Sequence, residues 1–255
     1  MKGRGLAIYA AAAYLFLHLP LLVLTLFSFN SSRFTHWEGF SFKWYAALAE
    51  DPRLVEATVN SLIIAVAATL LATAAGTLCA YGIWKKSAPA LEASLYTGLV
   101  TPEIVTGVSL LALFQWLFQY LDIRLGLHTV ILAHVTFSIA YVMIVVQARL
   151  KTMDKSLEEA AMDLGATEFG AFRKVTLPVL MPGIIAAALL AFTISFDDYV
   201  ITSLVAGVDS ETLPMVIYTM ARKGVSPAVN AMSALIVIGV GVLIVAAEKL
   251  QERKA

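Results

Sequence analysis

Three carboxylates, Glu103, Asp197 and Asp198, stand inside long apolar stretches of a chain in which only 14% of the residues are charged. A carboxylate near the centre of a membrane helix costs about 2.5 to 3.5 kcal/mol on insertion scales, so such a residue normally faces an aqueous pathway or a partner. No Lys or Arg lies at comparable depth in any apolar stretch. The three acids would therefore favour a cation and repel an oxyanion. Ser195, Asp198 and Thr202 recur at i, i+3 and i+7, which on one continuous helix makes a polar stripe that lipid does not tolerate. Asp198 is thus the leading pathway residue, whereas Asp197 points about 100° away on an ideal helix and is free to pair with a neighbouring subunit or span. The other role open to each acid is that of a buried group satisfied by nearby hydroxyls or kept protonated. Pro102, directly before Glu103, breaks its helix near mid-membrane and could free carbonyls toward the same cavity. Trp44 and Tyr45 offer π faces to alkylammonium groups at the outer opening, or else belong to an interfacial aromatic belt.

The elements that must position these side chains follow from hydropathy. At 255 residues, with 60% hydrophobic residues and a mean hydropathy of +0.82, the chain is too apolar for a water-soluble domain. An all-α membrane protein is expected, with one transmembrane domain over residues 1–255. Six segments have the roughly 20 apolar residues a spanning helix needs, at about 6–29, 58–84, 93–121, 128–149, 179–206 and 228–247. The first is longer than a signal-peptide core and is followed by Asn30-Ser31-Ser32 without an A-x-A site, so it is expected to stay as a helix. With the N-terminus inside, twelve Lys and Arg residues fall on the cytoplasmic side, among them Lys85, Lys86, Lys155, Arg253 and Lys254, against six outside. The positive-inside rule then places both termini and the 150–178 loop in the cytoplasm. Net charge is zero, so nothing suggests nucleic acid, and the single Cys79 excludes a disulfide framework.

The 150–178 loop holds a second set of informative residues. Ser156, three residues before Glu159, is expected to form a capping box, and Gly165 supplies the left-handed residue that ends a helix of about 12 Å. Leu157, Ala160, Ala161 and Leu164 share a small apolar face, with Glu158, Glu159 and Asp163 off it, a pattern suited to a groove on a partner. The chain lacks G-x-x-x-x-G-K-[ST], H-E-x-x-H and G-x-S-x-G, so neither phosphate-loop nucleotide binding nor familiar hydrolytic chemistry is expected of it. The four histidines show no metal-ligand spacing, and His134 reads as a hydrogen-bonded packing residue. No cofactor or metal is expected in this chain, nor catalysis by it.

Glu159-Ala160-Ala161 followed by Asp163 and Gly165, then nine residues to Val175-Thr176-Leu177-Pro178, resembles the E-A-A loop of ATP-binding-cassette importer permeases. Several further blocks, among them Phe29 to Phe34, Phe42-Lys43-Trp44-Tyr45, Thr101 to Val105, Ser195 to Tyr199 and Gly224-Val225-Ser226-Pro227, are similar in order to the second permease subunit of spermidine/putrescine importers. The resemblance implies a MetI-like type I importer domain and docking of a separate ATPase through Glu159, Ala160, Ala161, Asp163, Gly165, Leu177 and Pro178. It also implies a heterodimer with a second permease subunit, two cytoplasmic ATPase copies that bind ATP and Mg, a periplasmic polyamine-binding protein and a place in the bacterial inner membrane. Another cationic or amino-group-bearing solute is the alternative substrate. A proton-coupled secondary transporter is the rival mechanism, but it would be expected to show paired repeats within one chain.

Overall fold

Apolar runs broken by proline and by short polar stretches fold as helices in the computed structural model of the chain, which describes residues 2–34, 36–121, 123–224 and 226–252. Val225, Arg253 and Lys254, named above, lie outside the described residues. In chain order the helices are α1 (Lys2–Ser28), α2 (Lys43–Glu50), α3 (Pro52–Lys85), α4 (Pro89–Val100), α5 (Glu103–Phe118), α6 (Leu127–Lys151), α7 (Ser156–Asp163), α8 (Glu168–Ala171), α9 (Leu177–Asp197), α10 (Val200–Val205), α11 (Leu213–Arg222) and α12 (Pro227–Glu252). A single π-helical turn, Phe172–Thr176, leads into α9. Among the described residues there is no strand, only an isolated bridge between Asn30 and Phe40.

Four of the described helical segments are long and apolar enough to cross a membrane: Gly5–Ser28, Pro52–Lys85, Leu127–Lys151 and the continuous stretch Glu168–Asp197. A fifth is gained if α4 and α5 count as one broken span, and Pro227–Val242 forms a shorter apolar helix. The third apolar block is thus not one bent rod but two helices at 111° to one another, since Pro102 holds ψ at 136° and cannot continue α4. The fifth block is interrupted as well. Asp198 is extended, with ψ at 127°, between the end of α9 and the start of α10.

The chain divides into two compact units. The first comprises residues 1–57 and 215–255, in which α12 packs on α1 and α2. After α1 the buried Asn30 organises the turn. Its Nδ2 donates to the carbonyls of Phe34 and His36 at 3.2 and 2.7 Å, and its Oδ1 accepts from the Ser32 and Glu38 N–H groups. An amide supplies two donors and two acceptor sites, so one side chain satisfies a loop that pairs with no sheet.

The second unit comprises residues 58–214. Here α6 is the central post, with α4, α9 and α10 against it, and α10 also lies on α5. One apolar cluster joins α3, α6 and α9 through Ala72, Val142, Met143, Val146, Leu180 and Ala187. Another joins α5, α6 and α10 through Phe114, Val130, Ala133, Ile201 and Val205. Small residues recur at these seams because helices in lipid gain by close van der Waals approach rather than by leaving water. Gly107 shows how tight the fit is. A Cβ there would lie 2.6 Å from Leu204 Cδ1, so α10 seats against bare α5 backbone.

Candidate functional site

The two helix breaks of the second unit open on one cavity of about 620 Å³. Its wall includes Thr101, Pro102 and Glu103 from the first break, Asp197, Asp198 and Tyr199 from the second, and Tyr141 from α6. All three acids singled out in the sequence therefore border the same space. Glu103 is the first residue of α5, where a carboxylate favours the positive end of the helix dipole, and it is exposed. Asp197, the last residue of α9, is exposed too.

Asp198 is held differently, and its side chain is only 6% exposed. Ending α9 at Asp197 and starting α10 at Val200 leaves the first N–H groups of α10 without helical partners. Asp198 supplies them. Its Oδ2 accepts from the Thr202 N–H and the Thr202 hydroxyl, both at 2.7 Å, and its Oδ1 accepts from the Ile201 N–H at 3.4 Å. His134 of α6 lies behind this cap, 1% exposed, with Nε2 3.4 Å from Asp198 Oδ2. The same Nε2 is 2.9 Å from Thr202 Oγ1, and Nδ1 is 2.7 Å from Ser195 Oγ.

This arrangement revises the expected polar stripe. Ser195, Asp198 and Thr202 do not form one helical face, because the helix stops at Asp197; they converge instead around His134. Ser195 and Thr202 are buried at 3% and 0% exposure, with their hydroxyls turned to the imidazole. The 100° offset assigned to Asp197 no longer applies, since Asp198 lies outside the helix, and Asp197 and Glu103 both border the cavity. His134 is the hydrogen-bonded packing residue the sequence suggested. Its partners lie 61 to 68 residues away, and nothing local signals them.

Trp44 and Tyr45 belong to the first unit, where both are fastened to the chain leaving α1. Trp44 Nε1 donates to the Asn30 carbonyl at 2.8 Å, and the Tyr45 hydroxyl lies 2.6 Å from Ser28 Oγ. Lys43 already covers the Trp44 ring, its Nζ 4.8 Å from the centroid.

The 150–178 loop is built around α7. Its end follows from Gly165, at φ +88°, where an L side chain would be strained. The Gly165 N–H donates to the Met162 carbonyl and the Ala166 N–H to that of Ala161, at 2.9 and 3.0 Å, which together make a Schellman termination. Its start differs from expectation. Lys155 is already in helical geometry and no side-chain cap bond is made, so Ser156 and Glu159 form no capping box. Asp154 takes the role instead, its carboxylate accepting the Ser156 N–H at 2.9 Å. The Ser156 N–H and hydroxyl hold that carboxyl below its ordinary range.

Glu159, Ala160 and Asp163 are exposed on α7, as is Leu164 just after it at 90%, and Phe169 adds an exposed ring at 71%. Ala161 is half-buried. Leu177 opens α9 directly from the π-helical turn, its N–H donating to the Phe172 carbonyl, and Pro178 follows it. What sequence reasoning missed is Glu158, the one buried residue of α7, at 2% exposure. Its Oε1 accepts from the Tyr81 hydroxyl at 2.6 Å and the Thr176 hydroxyl at 2.8 Å, and its Oε2 pairs with Lys85 Nζ at 2.9 Å. Burial alone would raise its pKa, but the bonds from Tyr81, Lys85 and Thr176 outweigh that and hold it below the usual value.

Among the described residues no cluster of His, Cys, Asp and Glu has the makings of a metal site. The geometry offers instead an acid-lined cavity at two interrupted helices and a short exposed helix on the same unit. The chain is 38% identical over 250 residues to the spermidine/putrescine transport system permease protein PotC of Escherichia coli (strain K12), covering 96% of this chain and 93% of that one. It is 42% identical over 237 residues to the putrescine transport system permease protein PotI of the same strain, covering 90% and 84%. A chain of a bacterial ABC transporter involved in the import of the acidic polysaccharide alginate superposes with a TM-score of 0.77 at 14% identity, covering 98% of this chain and 96% of that one. Residues 72–255 match the family described as binding-protein-dependent transport system inner membrane component. With that match and relatives of this identity over nearly its whole length, the chain belongs to the family of inner-membrane components of binding-protein-dependent transport systems.

Proposed function

We propose that this permease carries polyamines, and that Glu103, Asp197 and Asp198 form its share of the cation pathway. The observation that carries the reading is the convergence of three carboxylates from two interrupted helices on one cavity. The fold by itself does not select the substrate, because a transporter for an acidic polysaccharide has it too. The charge of the wall does. Two exposed carboxylates beside freed helix ends replace water around an ammonium group, as in other transport sites made from discontinuous helices.

In this reading six spans, counted at the apolar blocks, make one wall of the pathway, and a second, different permease subunit makes the other. Both termini and the 150–178 loop lie in the cytoplasm, where two copies of a separate ATPase bind ATP and Mg and dock on α7. A periplasmic polyamine-binding protein delivers the solute from the opposite side. Nucleotide and loaded receptor each bias a two-state membrane dimer, and alternation between those states moves the solute. The chain itself contributes no cofactor and no catalytic residue.

The test is reconstitution in liposomes of this chain with its partner permease and ATPase, presented with the receptor. ATP-dependent uptake of labelled spermidine or putrescine is the expected result. Uptake without ATPase subunits, or ATP-dependent uptake of anionic solutes only, would overturn it.

A further inference from the structure

An eight-residue helix is too short to be stable by itself, and α7 buries only Glu158. Beside the half-buried Ala161 and Met162, what ties the docking helix to the rest of the chain is therefore one buried carboxylate with three directed partners. Two of them, Tyr81 and Lys85, are four residues apart on the last turns of α3; the third, Thr176, ends the π-helical turn that leads into α9. Tyr81 also lies against Phe172 of that turn, with ring centroids 4.6 Å apart, and Lys155 Nζ sits 5.1 Å from the Trp84 ring centroid.

We propose that Glu158 is a positioning residue that carries the displacement of the docking helix into α3 and α9, separately from the exposed face on which a partner seats. The proposal rests on the coupling role read above for the 150–178 loop. Apolar contacts are non-directional and let a short helix slide or roll, whereas a carboxylate accepting charge-assisted bonds from two other elements fixes its distance and angle at once. The linkage also leads to the right place. From Leu177, α9 runs 21 residues, about 30 Å at 1.5 Å per residue, and ends at Asp197 on the cavity wall. A push on α7 is applied through Thr176 to one end of the rod whose other end borders the pathway.

The experiment uses the whole reconstituted transporter and reads three quantities: ATPase co-purification, solute imported per ATP hydrolysed, and nucleotide-dependent hydrogen exchange. Glu158→Gln keeps the shape but turns one acceptor into a donor facing the Lys85 ammonium. Co-purification should stay at the wild-type level, while import per ATP falls about tenfold. The nucleotide-induced change in exchange should then stop at α7 instead of reaching the end of α3 at Leu78–Lys85. Tyr81→Phe and Thr176→Val, which each remove one bond, should give smaller losses in the same direction. Leu164→Asp on the exposed face should do the reverse, with reduced co-purification and unchanged import per ATP in the complexes that remain. Wild-type import per ATP in Glu158→Gln would overturn the proposal, and so would a loss of co-purification equal to that of Leu164→Asp. Failure of the ATPase to bind the wild-type chain would instead strike the coupling role itself.

Discussion

Asp198 and Glu158 are both carboxylates taken almost entirely out of contact with solvent, yet the chain satisfies them in opposite ways. Asp198 is served mostly by its own neighbourhood, through the Ile201 and Thr202 N–H groups and the Thr202 hydroxyl, with His134 as a backing from α6. Glu158 has no local donor among its close partners. It is met by a tyrosine and a lysine 77 and 73 residues earlier and by a threonine 18 residues later. A helix break provides unpaired N–H groups that hold an acid in place, so Asp198 belongs to the break. Glu158 lies in the first turn of α7, yet its side chain is met by donors from distant elements, and it ties those elements together.

The sharpest way to break the comparison is to neutralise acids on the two sides of the cavity wall. Glu103→Gln with Asp197→Asn removes charge from the exposed pair without touching the His134 cluster. Polyamine uptake should fall by tenfold or more, tenfold corresponding to roughly 1.4 kcal/mol of lost cation stabilisation, with unchanged thermal stability. Asp198→Ala should show the other profile, a lowered melting temperature in detergent, since one cap is lost and the Thr202 and His134 groups are orphaned at about 1 to 3 kcal/mol each. If Asp198→Ala leaves the melting point unmoved, the carboxylate is not the cap of α10 and the contrast with Asp197 collapses.

A smaller effect is expected at the end of α7. Gly165→Val places a β-branched residue at φ +88° and should cost about 1 to 2 kcal/mol locally, weakening the termination of α7. ATPase co-purification should drop while membrane insertion is kept. Equal recovery of ATPase with Gly165→Val and with the wild-type chain would show that the helix end need not be formed for docking.

The smallest effect concerns pH. The folded-state pKa of Glu158 lies below the ordinary 4.5, so its contribution to stability is fully present above that value and is lost only as pH falls through the lower folded value. Hydrogen-exchange protection of α7 should thus be flat between about pH 5 and 8 and decline below about pH 4. A decline centred near neutral pH would mean that the carboxylate is not held ionised by Lys85 and its two hydroxyl donors.

Much of this architecture is legible in the amino-acid order alone. Hydropathy announces membrane helices, Pro102 announces the break before Glu103, and Gly165 announces the end of α7, because each of these residues acts on its own backbone. The break at Asp198 is not legible in that way. No proline or glycine lies between Phe196 and Val200, and the i, i+3, i+7 spacing argues for one continuous helix. The capping box at Ser156 fails for a related reason, since a cap depends on where the helix begins, and Asp154 and Lys155 move that point upstream.

By itself, then, the sequence determined that the chain is helical and membrane-embedded, that its acids sit deep within apolar blocks and that one polar loop carries a short terminated helix. These are local properties, set by burial of apolar residues over a helix length and by residues whose backbone freedom is unusual. Only the tertiary structure decided that all three acids border one cavity while Asp198 also caps α10, and that Glu158 rather than Glu159 faces inward. Those outcomes depend on where α3, α6 and the π-helical turn deliver Tyr81, Lys85, His134 and Thr176, and hydrogen bonds that span 18 to 77 positions leave no periodic trace in either segment.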